Sequence, residues 1–116
     1  MTPLILAVAG SIGALGRYLI SGAMQRLTGS AMPVGTATVN LVGAFLLGIC
    51  LGAGDDSLWW TAAAGFSGGL TTFSTWMVET RALGVIPRPS LQAVLNLTVM
   101  AVLGVALAAA GYQMTR

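Results

Sequence analysis

One stretch of twelve residues, Gly65 to Trp76, interrupts the third of four apolar runs in this sequence with glycine and hydroxyl side chains. If this run begins near Leu58, Gly68 lies about 15 Å along a helix, near the middle of a hydrocarbon core ~30 Å thick. Glycine, serine and threonine all weaken a helix at such a position. Irregular backbone at this depth persists only inside protein or beside a wet cavity. The stretch therefore predicts a broken helix at a pore or ion site. The alternative is that its small residues serve only the close packing of helices.

The composition places this chain in a membrane. Of its 116 residues, 56% are hydrophobic and 7% are charged, whereas a soluble domain carries about 25% charged residues. We therefore predict an all-α integral membrane protein, with one transmembrane domain of four helices over residues 1–116. The predicted spans are residues 3–24, 33–53, 58–79 and 90–112, and the third is broken near its middle.

The composition also excludes several classes of function. The sequence contains no histidine and no lysine, and its single cysteine, Cys50, lies within an apolar run. It therefore offers no nucleophile beside a base, no carboxylate pair and no thiolate metal site, so we expect no catalytic residues and no enzyme. The five basic residues form no basic stripe, so we expect no nucleic-acid partner.

Two polar side chains in the first two spans are candidates for an anion path. Arg17 lies towards the end of span one, either as an interfacial anchor beside Tyr18 or as a cation that draws anions into a vestibule. Asn40 shares one stripe of span two with Thr36 and Gly43. Its side chain serves either an interhelical hydrogen bond or an amide N–H directed at an anion.

Three motifs together resemble the CrcB/Fluc family of small fluoride channels. They are Gly13-Ala14-Leu15-Gly16-Arg17-Tyr18, Gly35-Thr36-Ala37-Thr38-Val39-Asn40, and the Gly65 to Trp76 stretch followed by Glu79. The resemblance covers essentially the whole chain. It implies a dual-topology homodimer of antiparallel subunits in the inner (plasma) membrane, which exports cytoplasmic fluoride passively and so lowers its toxicity. Some members of the family pair with a second chain, so the sequence leaves a heterodimer open.

The resemblance also implies roles for individual residues. The fluoride pore would be lined by Asn40, Phe73, Ser74, Thr75 and Trp76, the vestibule would hold Arg17, and the backbone carbonyls of Gly68 and Thr71 would bind a structural sodium ion at the dimer centre. Trp76 departs from the phenylalanine usual in the family. Asn96 and Met100 stand where many members have tyrosine and serine.

These residue types suit a small, strongly hydrated anion. Asparagine amides and hydroxyl groups supply hydrogen-bond donors that replace the lost water, and an aromatic ring presents a positive edge. Carbonyl oxygens are the ligands that a hard cation such as sodium prefers.

Two other functions remain as alternatives for a chain of four short spans. A small multidrug-type transporter needs a titratable carboxylate within the membrane, and Glu79, at the end of span three, is the one candidate in the predicted spans. A structural membrane subunit would use the glycines for packing alone and would have no need of Asn40 or the hydroxyl side chains. The Gly65 to Trp76 stretch favours the channel.

Overall fold

Helices make up the regular structure in the described part of the chain. The computed structural model describes residues 1–29, 33–54, 57–84 and 90–116. These ranges contain α1 (Thr2–Thr28), α2 (Val34–Ala53), α3 (Leu58–Leu70), α4 (Phe73–Ala82) and α5 (Leu91–Thr115). Of these, α1, α2 and α5 are long and apolar enough to cross a membrane. The prediction of an all-α protein with membrane-spanning helices is confirmed.

The outer surface of the bundle is apolar and its interior is built of small residues. Many leucine and valine side chains on α1 and α5 are exposed, whereas the buried apolar residues of the described chain are Ala9, Val39, Leu70 and Ala93. Helices surrounded by lipid gain little from burying large apolar side chains and associate instead through close packing. The distribution of side chains is therefore that of a bundle with lipid around it.

Glycines bring α1 and α3 into backbone contact. A Cβ atom at Gly13 would overlap the carbonyl oxygen of Phe66, and one at Gly69 would overlap the carbonyl oxygen of Gly10. Gly10 and Gly13 thus allow the backbone of α3 to approach α1 closely. Since α1 cannot move away without losing these contacts, it holds α3 in a fixed register.

A second glycine contact joins α2 to α5. A Cβ atom at Gly48 would overlap the carbonyl oxygen of Ala108, and one at Gly111 would overlap the carbonyl oxygen of Phe45. A glycine of each helix thus contacts the backbone of the other helix. The bundle therefore consists of two tightly joined pairs, α1 with α3 and α2 with α5.

The third apolar run contains two helices with Thr71 and Thr72 between them. Both residues are extended, with φ −83° and ψ 155° at Thr71 and φ −147° and ψ 125° at Thr72. Gly68 and Gly69, where the glycine pair led us to expect irregular backbone, lie within α3. The two extended residues thus lie inside the Gly65 to Trp76 stretch, whereas Gly69 serves the contact with Gly10.

Candidate functional site

Thr72 organises the start of α4. Its hydroxyl accepts a hydrogen bond from the backbone N–H of Thr75 at 3.3 Å and so caps the helix. The Thr75 hydroxyl lies 3.2 Å from it and the Ser74 hydroxyl 3.5 Å. The first backbone N–H groups of a helix have no partner within the helix, and they carry its positive end. Three hydroxyl groups thus gather where positive potential is highest, an arrangement that favours an anion.

The Asn40 side chain forms hydrogen bonds with both the N–H and the carbonyl group of Thr72. Its amide Nδ2 donates to the carbonyl oxygen of Thr72 at 2.9 Å, and its Oδ1 accepts from the Thr72 N–H at 2.7 Å. The side chain therefore replaces the helical partners that Thr72 lacks. Gly43, one turn further along α2, admits the methyl group of Thr71, with which a Cβ atom would overlap. The interhelical alternative for Asn40 is thus present, and no described residue accepts its second amide hydrogen.

Arg17 reaches the same segment from α1. Its Nη1 donates to the carbonyl oxygen of Thr71 at 3.2 Å. Arg17 also lines a cavity of about 350 Å³ together with Thr36, Thr72 and Thr75. The guanidinium therefore lies beside the hydroxyl groups at the start of α4, and its remaining N–H groups are donors available to that cavity.

Phe73 and Trp76 line a second cavity, to which Thr72 also contributes. The cavity has a volume of about 330 Å³, and Asn40 and Thr72 contribute to its wall. The two aromatic rings meet edge to face, with centroids 5.9 Å apart and planes at 82°. Phe73 is 70% exposed, so its ring edge is accessible.

The residues predicted for an anion path thus converge on one segment. Arg17 and Thr75 lie at the first cavity, Asn40, Phe73 and Trp76 lie at the second, and Thr72 borders both. Sequence reasoning did not single out Thr72. The signal was available, because a threonine directly before a new helix is a preferred N-cap.

Glu79 is tied to α2. Its Oε1 accepts a hydrogen bond from the Thr36 hydroxyl at 2.8 Å, and its Oε2 is inaccessible to solvent with no hydrogen-bond partner in the described part of the chain. The sequence places Glu79 at the end of span three. Its carboxylate joins α4 to the start of α2.

The carbonyl groups of Gly68 and Thr71 are the predicted ligands of a sodium ion. The Gly68 oxygen accepts from the Thr71 hydroxyl at 3.1 Å, and the Thr71 oxygen accepts from Arg17. Each carbonyl has a second lone pair free for a cation. They lie at the carboxyl end of α3, where the helix dipole is negative. Gly68 is exposed, and a Cβ atom there would have no atom within 4 Å. Carbonyl oxygens are the type of ligand that a hard monovalent cation prefers, although Arg17 already donates to one of the two.

Comparison with known proteins identifies the family. The family described as "CrcB-like protein, Camphor Resistance (CrcB)" matches residues 4–112. The chain belongs to the CrcB family. The match includes all five helices of the CrcB chain except the ends of α1 and α5.

Individual relatives support this membership. The chain is 43% identical over 105 residues to "Fluoride-specific ion channel FluC 2" of Mycobacterium bovis, covering 88% of this chain and 81% of that protein. It is 40% identical over 112 residues to the protein of the same name in Mycolicibacterium paratuberculosis, covering 96% and 91%. It is 42% identical over 85 residues to "Fluoride-specific ion channel FluC" of Geobacter sulfurreducens, covering 68% of each.

These findings give the CrcB chain its cellular context. The names describe ion channels and not enzymes, in agreement with the sequence prediction. Together with the three apolar helices, they make this chain a multi-pass protein of the plasma membrane.

Proposed function

We propose that this CrcB chain forms a fluoride-selective channel that exports cytoplasmic fluoride passively. The observation that carries the proposal is the group of hydrogen-bond donors around Thr72. Hydroxyl groups, the amide of Asn40 and the open end of α4 meet there between two cavities. The relatives named as fluoride-specific channels provide independent support.

The proposed path runs from the cavity at Arg17 to the cavity at Phe73. Arg17 raises the local concentration of anions at the entrance. The hydroxyls of Ser74 and Thr75 then replace water around the ion, followed by the free amide hydrogen of Asn40 and the ring edge of Phe73. These later donors are neutral, so the ion is bound weakly enough to leave, as conduction requires. Narrowness of the path excludes the larger chloride ion.

In the proposed channel, α3 and α4 are the two halves of one interrupted span. The 13 residues of α3 and the 10 residues of α4 extend ~20 Å and ~15 Å, so neither crosses a core of ~30 Å by itself. Because irregular backbone needs protein around it, we propose that a second, antiparallel copy covers the exposed side of Thr71 and Phe73. Four spans with weak charge asymmetry are compatible with that dual topology.

A sodium ion at the centre of this homodimer would complete the site. Gly68 and Thr71 of each copy would supply two carbonyl oxygens, and sodium would contribute the positive charge that holds the four oxygens together. The Thr71 carbonyl also accepts a hydrogen bond from Arg17, so its second lone pair would bind the ion.

Fluoride efflux from proteoliposomes tests the function. The purified chain is reconstituted in vesicles loaded with potassium fluoride, valinomycin is added, and a fluoride electrode records release. We expect rapid release from protein-containing vesicles, none from empty vesicles, and no comparable release of chloride. Replacing sodium by N-methyl-glucamine should impair flux or assembly. A monodisperse protein that releases no fluoride would overturn the function, and full activity without sodium would overturn the central ion alone.

Phe73→Ile is expected to slow fluoride flux by about two- to tenfold without loss of the dimer. Isoleucine fills the site but has no positive ring edge, and each good aromatic contact contributes about 0.5–1.5 kcal/mol. Trp59→Ile is the matched control, because Trp59 is 85% exposed at the start of α3 and lies outside both cavities. Normal flux through the Phe73 variant would remove this ring from the path.

A further inference from the structure

Three residues on α4 and α5 form a closed ring of hydrogen bonds. The indole Nε1 of Trp76 donates to the backbone carbonyl of Asn96 at 3.3 Å. The Asn96 amide donates to the Thr80 hydroxyl at 2.7 Å, and that hydroxyl donates to the backbone carbonyl of Trp76 at 2.7 Å. Each residue therefore donates to the next, and the last donates back to the first.

The ring of bonds is protected from water and lipid. Asn96 is 4% exposed and Thr80 is 5% exposed. A buried amide or hydroxyl that loses its partner destabilises the fold by about 1–3 kcal/mol. The arrangement is thus strongly held, and it is the main polar connection between α4 and α5 in the described part of the chain.

The ring fixes side chains that line the second cavity. Trp76 cannot direct its N–H into the cavity, because Asn96 accepts that hydrogen bond. It contributes its ring instead, which meets the ring of Phe73 edge to face. Rotation of Trp76 would therefore change the space open to Phe73 and the direction of its edge.

We infer that Trp76, Thr80 and Asn96 are positioning residues that set the orientation of the Phe73 ring in the conduction path. The inference rests on the proposed channel function. Asn96 is not a donor to the passing ion, since its amide is directed at Thr80. Its effect reaches the path through Trp76, whose indole is held by the Asn96 carbonyl of α5 and contacts the Phe73 ring.

Thr80→Val tests the inference, with Thr80→Ser as its conservative partner. Valine has nearly the shape of threonine but removes both hydrogen bonds of the hydroxyl, whereas serine retains them. We expect the fluoride release rate of each active channel to fall about three- to tenfold in the valine variant and to return towards the wild-type rate in the serine variant. The chloride-to-fluoride release ratio should rise in parallel, because Phe73 is less well held.

The assay separates positioning from folding. Vesicles are prepared with at most one channel each, so the fraction of vesicles that empties counts competent channels and the time course gives the rate of each channel. A merely structural role would lower the fraction and leave the rate and the halide ratio unchanged, and this result would overturn the inference. Thr98→Val is the matched control on α5, because the Thr98 hydroxyl bonds only to Val94 of its own helix among the described residues.

A second, milder variant, Trp76→Phe, tests the same inference if Thr80→Val does not fold. Trp76→Phe removes one N–H and keeps an aromatic ring, so we expect a folded channel whose single-channel rate falls about threefold. An unchanged rate and halide ratio in this variant would overturn the inference. If the wild-type chain releases no fluoride in the same vesicles, the proposed channel function is wrong. If the wild-type chain releases fluoride and the variants release it at the same rate and halide ratio, only the positioning role is wrong.

Discussion

Asn40→Asp is expected to reduce fluoride flux by more than about a hundredfold. A carboxylate at this position faces the second cavity, and two like charges about 4 Å apart repel by about 4 kcal/mol at an effective dielectric constant near 20. The substitution also turns the group facing the Thr72 carbonyl from a donor into an acceptor, because Asn40 Nδ2 now donates to that oxygen at 2.9 Å. Both effects act against an anion at the same point. Flux of the reconstituted variant, measured per folded channel, checks the prediction.

Asn40→Leu separates the two effects. Leucine brings no charge, but it leaves the N–H and the carbonyl of Thr72 without the partners they have at 2.7 Å and 2.9 Å. Since an unsatisfied buried group costs about 1–3 kcal/mol, we expect flux to fall about tenfold and the folded fraction to decrease. Repulsion alone would predict that the leucine variant conducts normally.

Thr38→Val provides the matched control on α2. The Thr38 hydroxyl donates to the carbonyl of Val34 in its own helix at 2.8 Å, so its removal changes polarity without touching α4. We expect wild-type flux. If Thr38→Val and Asn40→Leu behave alike, Asn40 has no special place in the path, and the role assigned to it is wrong.

The helices of this protein follow from its apolar runs, because lipid requires every spanning segment to satisfy its own backbone. The sequence also places Thr36, Asn40 and Gly43 on one face of α2, and this face contacts α4 and the segment before it. The period of a helix is sufficient for that result. The helical period does not reveal which group on another helix each polar side chain bonds to.

The site departs from sequence expectation where partners come from distant helices. The role of Gly69 depends on the position of Gly10 in α1, so a glycine pair alone does not reveal whether it ends a helix or admits another one. In the same way, Asn96 stands where many family members have tyrosine, and the sequence does not reveal that its amide donates to Thr80. Such pairings depend on the register of two helices, which local propensity does not determine.

Gly13→Ala is expected to lower the free energy of unfolding by about 1–3 kcal/mol, the usual cost of overpacking a tight contact. The added methyl group would overlap the carbonyl oxygen of Phe66, which is backbone and cannot rotate away. Gly22→Ala is the matched control in the same helix, because a Cβ atom at Gly22 has no atom within 4 Å. That control should be neutral or slightly stabilising, since alanine is the better helix former. Reversible unfolding in mixed detergent micelles, followed by tryptophan fluorescence, measures both variants.

The same substitution also links packing to conduction. Gly13 and Arg17 are four residues apart and lie on one face of α1, so a helix displaced from α3 carries Arg17 away from the Thr71 carbonyl, now 3.2 Å from its Nη1. We therefore expect Gly13→Ala to lower the flux of each folded channel as well as stability. Equal stability of the Gly13 and Gly22 variants would contradict the close α1–α3 contact. Reduced stability with unchanged flux per folded channel would show instead that conduction does not depend on the bond between Arg17 and Thr71.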